Sequence, residues 1–356
     1  MKSLTRSTKL SLNVIVAVSA IALALASCSS SSNQNASSLP QVTGNASIQV
    51  GVFPISTYLP DQVALKQGFF KQNGLDVTLV GPAMTGSTAY QLMTTDKLQS
   101  YFNDVLTTTQ AISKGSSIVI GGCVAPRSIY VIVANKSANL PTTGSFQDKI
   151  KALKGKRIGV TALGAGTDVG LTVSLQAAGV ATNEVTRLAV GPPTSAISQL
   201  EAGRIDAYIT GSDSGAFQIT ASSPNTVVYA SLGDPSTPQP AQTFASGGWA
   251  VSAVWAKNHP DQLDNYRKSL EQAIAWIKQN PDEAAKVMSE TMFAGGQLDV
   301  ATKSVAAYVN NFAGNPGLTC DKAALDNAFG VFTQLNLGPQ DKATYNAVTA
   351  PAARAS

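Results

Sequence analysis

IQVGVFPISTYLPDQVALKQGFFKQNGLDVTLV, residues 48–80, decides how the rest of the chain is read. Residues 48–53 form a short apolar run of the kind that makes a buried strand. Pro60 stands where a helix makes its first turn and Gly74 where it stops, which frames a helix over 60–73. A second strand follows at 75–80. Strand, helix and strand joined by short links are the unit of a sheet whose neighbouring strands run parallel.

The alternation continues outward. Helices are expected at 87–97 and 105–114, the latter closed by Gly115, with strands at 98–102 and 117–121. A strand at 130–134 and a polar, Pro-containing segment at 135–145 lead into a second run: strands at 157–161, 185–190, 205–209 and 226–231, and helices at 166–178, 194–202 and from Ser212. The second run repeats the first. After a strand at 247–255 the pattern turns almost wholly helical. Pro260 opens a helix whose Leu263, Tyr266, Leu270, Ala273, Ile274 and Ile277 recur at helical spacing, a core-facing stripe. Further helices are expected at 283–290, 298–311 and 321–334, a tail packed back on the first lobe. The result is an α/β chain of two lobes, 48–129 with 254–356 and 130–253, each around a mainly parallel sheet. Two crossings join them, near Arg127 and near Ala250.

Upstream of the fold, Lys2, Arg6 and Lys9 precede an apolar run at 14–26 that is too short to span a bilayer comfortably, the composition of an export signal. It ends in Leu25-Ala26-Ser27-Cys28, which resembles the bacterial lipobox. Cleavage before Cys28 would leave a cysteine carrying at least two acyl chains such as palmitate, enough for durable attachment to a membrane. Residues 28–47 are rich in Ser, Asn, Ala and Gln, with one Pro and no apolar period, a flexible tether. The expectation is an exported monomer, lipid-anchored at the cell envelope.

The whole chain has 25 basic and 21 acidic residues. Three basic residues lie in the leader, so the mature balance is 22 minus 21, or +1. No Lys/Arg cluster with interleaved aromatics is present, and a nucleic-acid partner is not expected. Cys123 and Cys320 meet an oxidising compartment after export; they pair if their Cα atoms approach within about 7 Å, and otherwise are two separately buried thiols. The sequence leaves both open.

Four segments carry a resemblance. Residues 48–80, LKGKRIGVTALGAGTDVGL at 153–171, QLEAGRIDAYIT at 199–210, and AVWAKNHPDQLDNYRKSLEQAIAWIKQNPDEAAKVM at 253–288 resemble, in order, the ABC importer binding proteins for nitrate, sulfonates, taurine and thiamine-pyrimidine precursors. The resemblance implies a type 2 periplasmic-binding fold. It implies two α/β lobes with two hinge crossings and a helical C-terminal tail, a small-molecule solute in the cleft, and an ABC permease as partner. The solute expected is a small organic or inorganic anion; alternatives are an aromatic solute of the thiamine-pyrimidine kind, or a lipid-anchored sensor built on the same fold.

In open α/β sheets, ligands lie beyond the carboxyl ends of strands, where helices start with unpaired N–H groups. Those positions name the candidates. In the first lobe they are Ser56, Thr57 and Tyr58, then Thr85, Gly86 and Ser87, then Asn103 and Asp104. In the second they are Gly164, Gly166 and Thr167 in the glycine-containing loop at 162–167, and Asp213. Glycines admit the ligand close to the backbone, and Thr167 can donate its hydroxyl beside the first-turn amides, an arrangement suited to an anion. The alternative is an ordinary capped turn. Asp104 and Asp213 either meet an amine or hydroxyl or cap their own helices. Arg127, beside the first crossing, pairs with a ligand acid or with a neighbouring carboxylate. Trp249 offers flat apolar contact or fills the core.

Catalysis is not expected. His259, in Asn258-His259-Pro260-Asp261, is the one histidine, and no HExxH, CxxC, nucleophile-elbow or Walker pattern occurs, so metal and triad chemistry lack their parts and no cofactor is implied. The related fold of pyrimidine synthases, which use a lysine-bound pyridoxal phosphate and a histidine, is the enzymatic alternative. The export signal argues against it.

Overall fold

Parallel pairing of β1 (Ala46–Gly51) with β2 (Leu75–Val80) begins the structure, with Ile48 opposite Val77 and Val50 opposite Leu79. Ile48, Val50, Leu75 and Val77 are buried. The computed structural model describes residues 46–354 apart from 82–83, 125–126, 240, 243–246, 313–317, 337 and 339–343; the leader, Cys28 and the tether as far as 45 lie outside the described residues. The strand starts two residues earlier than expected, because Ser47 pairs with Asp76 rather than belonging to the tether. The expected helix over 60–73 is two, α1 (Leu59–Lys66) and α2 (Phe69–Gln72). Gly68 divides them with φ of 76°, a left-handed conformation that ends a helix.

The first run continues through α3 (Gly86–Thr94), β3 (Ser100–Asp104), α4 (Val105–Ser113) and β4 (Ile118–Cys123). The second holds β5 (Val131–Asn135), α5 (Phe146–Lys151), β6 (Arg157–Val160), α6 (Gly166–Ala177), β7 (Thr186–Ala189), α7 (Pro193–Glu201), β8 (Ala207–Thr210), α8 (Asp213–Ser222) and β9 (Thr226–Ser231). Helix α5 was not anticipated, although Ser145 and Asp148 form a reciprocal capping box ahead of the buried Phe146 and Ile150. Then comes β10 (Gly247–Ser252).

The two sheets share one plan. Their orders are β2-β1-β3-β10-β4 and β7-β6-β8-β5-β9. In each, four strands run the same way and the fourth in line, β10 or β5, runs against them, antiparallel to both neighbours. The sheets are therefore mixed, with a single reversed strand in each. The reversal has a plain cause: the chain enters each sheet's fourth place from the other half, so it arrives in the opposite direction. It also moves a boundary. Residues 247–252, expected at the end of the second lobe, pair with β3 and β4 of the first sheet, so the return crossing lies before Gly247 and not near Ala250.

The two crossings run side by side. Val124 N–H donates to the Gly247 carbonyl (2.9 Å), Ser128 N–H to Gln242 (2.8 Å) and Leu232 N–H to Tyr130 (2.9 Å). At Gly233 a Cβ would stand 2.4 Å from the Ser128 carbonyl oxygen, so a side chain there would prise the crossings apart.

After β10 the expected strand to 255 stops at Ser252, whose hydroxyl caps α9 (Ala253–Asn258) by accepting the Trp255 N–H. Next are α10 (Pro260–Gln279), α11 (Pro281–Met292), α12 (Leu298–Phe312), α13 (Lys322–Gln334) and α14 (Tyr345–Val348). All six residues of the α10 stripe are buried, against α1 and α2. Truncating one, such as Leu270→Ala, removes roughly 2–5 kcal/mol. The tail reaches further than the first half: α12 packs on α11 and also on α8, where Asn311 Nδ2 donates to Asp213 Oδ2 (3.0 Å). The chain end returns along β4, pairing Thr349 with Ile120 and covering that sheet edge.

Cys123 and Cys320 form a disulfide, with Cα atoms 4.9 Å apart. It ties the tail to the root of the first crossing. On chain-entropy grounds a bond spanning so long a loop stabilises by up to about 5 kcal/mol.

Asp61 is fully buried where α1 meets β10 and α10, accepting hydrogen bonds from Tyr266 Oη (2.5 Å) and Trp249 Nε1 (3.1 Å). Burial pushes its carboxyl from 3.8 up to about 6, with the two hydrogen bonds pulling the other way. The folded state therefore holds this proton more tightly than the unfolded chain. Its stabilising contribution, about 3 kcal/mol, is present below pH 3.8 and lost as pH rises through about 6. Urea titrations between pH 4 and 7 should show the fall in the wild type and a flatter profile in Asp61→Asn. Equal slopes would refute this assignment.

Candidate functional site

The strands of both sheets deliver their following turns to one cavity of about 520 Å³, counting its open mouth. From the first half come Thr57 and Tyr58 in the turn after β1, Thr85 and Gly86 at the start of α3, and Asn103 at the end of β3. From the second come Thr161, Ala165, Gly166 and Thr167 between β6 and α6, and Gly211 before α8. Phe53, Ile55, Tyr101, Phe102, Ile129 and Tyr130 supply the apolar wall.

Each polar group is held by a local cause. Thr85 caps α3, its hydroxyl accepting the Thr88 N–H (3.4 Å). Gly86 has no room for a side chain, since a Cβ would lie 2.8 Å from Asn103 Nδ2. That amide donates to Tyr90 Oη (2.7 Å). Thr167 Oγ1 accepts the Thr161 N–H (2.9 Å) and lies 2.8 Å from Thr161 Oγ1. The Thr57 hydroxyl is buried on the cavity wall and has no hydrogen-bond partner. Tyr58 donates to the Phe102 carbonyl (2.6 Å) and packs its ring against Tyr101 and Phe102.

The cavity's ionisable side chains are phenols. Burial pushes Tyr101 up to about 12 and Tyr58 and Tyr130 well beyond their ordinary value, Tyr130 further because the Asp104 carboxylate is its neighbour. They stay protonated at neutral pH and serve as uncharged hydrogen-bonding groups.

Seven expected residues stand elsewhere. Ser56 is not on the cavity lining; its N–H donates to Ser214 Oγ (2.7 Å) and links the halves. Ser87 is exposed, with its hydroxyl on Thr85. Gly164, at φ of 76°, donates its N–H to Asp168 Oδ2 and shapes the loop rather than lining the cavity. Arg127 is exposed and outside the lining. Trp249 is a core residue, its ring edge-on to Phe102 and its indole on Asp61. Asp213 begins α8 and accepts from Asn311, with burial raising its pKa. Asp104 caps α4 through the Thr107 N–H (2.7 Å) and accepts the Tyr130 hydroxyl (2.6 Å); burial pushes its pKa up against those bonds.

The aromatic wall was the main omission. Tyr101 and Phe102 read as ordinary strand residues, and strands buried on both faces do not announce which side meets a cleft. Tyr130 read only as the start of a strand beside the first crossing. Among the described residues, no group of three or more His, Cys, Asp or Glu side chains is placed to hold a metal ion. His259 is exposed between α9 and α10.

Two α/β halves, joined by paired crossings and meeting over a cavity walled from both sides, define a type 2 periplasmic-binding fold. Residues 56–284 match the NMT1/THI5-like family, and the chain belongs to it. Among solved structures, it is similar to the alkanesulfonate-binding protein SsuA from Xanthomonas axonopodis pv. citri, with a TM-score of 0.67, 17% identity, and 87% of this chain and 98% of that one covered. It is also similar to the nitrate-binding protein NrtA from Synechocystis PCC 6803 (0.60, 14%, 78% and 74%). The desulfurization enzyme DSZB shares the architecture too (0.56, 14%, 84% and 96%). At such identities the likeness is one of fold. No curated protein sequence matches the chain significantly.

Gly166 is the tightest point. A Cβ there would lie 2.2 Å from Tyr130 Oη and 2.5 Å from Asp104 Oδ2, atoms held by a rigid ring and a helix cap. Gly166→Ala should force the halves apart, weakening solute affinity at least about tenfold while leaving the ligand-free unfolding temperature within a few degrees. Calorimetric titration and thermal melting measure the two quantities.

Proposed function

We propose that this protein is the extracytoplasmic solute-binding component of an ABC importer, closing its two halves over a small organic solute and presenting it to a membrane permease. The cavity lined from both halves carries this reading. A solute that touches both walls stabilises the closed arrangement by the contacts it makes only there. The ligand contacts would come from Thr57, Tyr58, Thr85, Gly86, Asn103, Gly166 and Thr167, with Tyr101 and Tyr130 as flat apolar surface.

The protein acts by binding and not by catalysis. What supports this is a cavity whose titratable side chains are raised phenols, which do not exchange protons near neutral pH. No lysine lines the cavity among the described residues, so the pyridoxal-dependent alternative has no Schiff-base partner there. A thermal-shift screen of sulfonates, nitrate, taurine, pyrimidines and aromatic acids and amides should yield a stabilising solute. Small-angle scattering with and without that solute should then show a smaller radius with it. A screen with no stabilising solute, or a bound form of unchanged dimensions, would count against the reading.

The protein works as a monomer anchored through Cys28. Support for the anchor comes from the sequence at 25–28. Cells supplied with labelled palmitate should label the wild type and not Cys28→Ser. Label in the variant, or none in the wild type, would exclude the anchor.

A further inference from the structure

Asp104 is fully buried directly behind the cavity wall. Both of its oxygens accept hydrogen bonds, Oδ1 from the Thr107 N–H and Oδ2 from the Tyr130 hydroxyl, the pattern of an ionised carboxylate. A Cβ on Gly166 would lie 2.5 Å from Oδ2, so the carboxylate rests against the first turn of α6. That turn's free N–H groups favour negative charge, and the sequence pattern reserved them for a solute's acid group. Beside that turn the protein already holds an acid group of its own, 2.5 Å from where a Gly166 Cβ would stand.

Nothing in the wall offsets a second negative charge. Among the described residues lining the cavity there is no lysine, arginine or histidine, and Arg127 lies outside. What the wall does offer is neutral. Thr57, a residue 1% exposed, has a buried hydroxyl without a hydrogen-bond partner. Thr161 and Thr167 present paired hydroxyls, and Tyr58, Tyr101 and Tyr130 present ring faces and edges.

Resting on the solute-binding reading and deepening it, we infer that Asp104 is a specificity-determining residue. It makes the cavity select an uncharged small organic solute with a flat apolar body, hydrogen-bonded by Thr57, over an anion of the same shape. The carboxylate excludes anions by like-charge repulsion in a water-poor site, where two charges a few ångströms apart interact far more strongly than in bulk water.

Charge-matched pairs test this by calorimetry at pH 8: benzoate with benzamide, benzenesulfonate with benzenesulfonamide, and ethanesulfonate with ethanesulfonamide. In the wild type the neutral member of a pair should bind at least about tenfold more tightly. In Asp104→Asn the ratio should narrow by about tenfold or more, chiefly through tighter anion binding. Asp104→Ser gives the same readout should the Asn variant fold poorly, since both residues cap helices well. Anions preferred by the wild type, or a ratio unchanged in both variants, overturns the inference while solute binding stands. Failure of every probe to bind any of the three proteins would overturn the solute-binding reading and this inference with it.

Discussion

Each sheet is completed by a strand that the other half sends across. β5 reaches the second sheet directly from β4 of the first, and β10 returns from β9 to take the matching place. Neither half can finish its sheet without the crossing that feeds it. The hydrogen bonds between the crossings, from Val124 to Gly247 and from Leu232 to Tyr130, keep the two connections together as one double-stranded strap. The cavity's position follows, because the strap fixes one edge and the strand ends on either side must face each other across it.

Within that frame, the two halves are held together by contacts the protein makes with itself. Ser56 reaches Ser214, Tyr130 reaches Asp104, and α12 reaches α8 through Asn311 and Asp213. Each neutral hydrogen bond contributes about 1 kcal/mol net, and those to carboxylates about twice that. A solute therefore adds to an interface already partly satisfied. The same contacts restrict what it can be: one wall already has a buried carboxylate at a helix start, and the rest is hydroxyl, amide and ring.

Much of the fold was legible because local signals and tertiary structure agree. The spans of β2 and β9 match expectation, Pro260 opens α10, and every residue of the α10 stripe is buried. Where reading failed, the information was not local. Antiparallel β10 and β5 look like any other apolar run, since direction within a sheet depends on how the chain returns. Cys123 and Cys320 gave composition but not distance. In the site, the helix starts at Gly86 and Gly166 were readable from local sequence, although what crowds those glycines is side chains from elsewhere, Asn103, Tyr130 and Asp104. The aromatic wall and the inward or outward aim of Asp104, Arg127 and Trp249 depend on packing between elements far apart in sequence.

The bond between Cys123 and Cys320 encloses nearly two hundred residues, including the whole second half and β10. Beyond the cytoplasm, a chain of this kind meets proteases. A single cut in any surface loop within that ring leaves two fragments still covalently joined, with the strap and both sheets able to stay assembled. The protein is thus built to survive nicking as one molecule for as long as its surroundings remain oxidising.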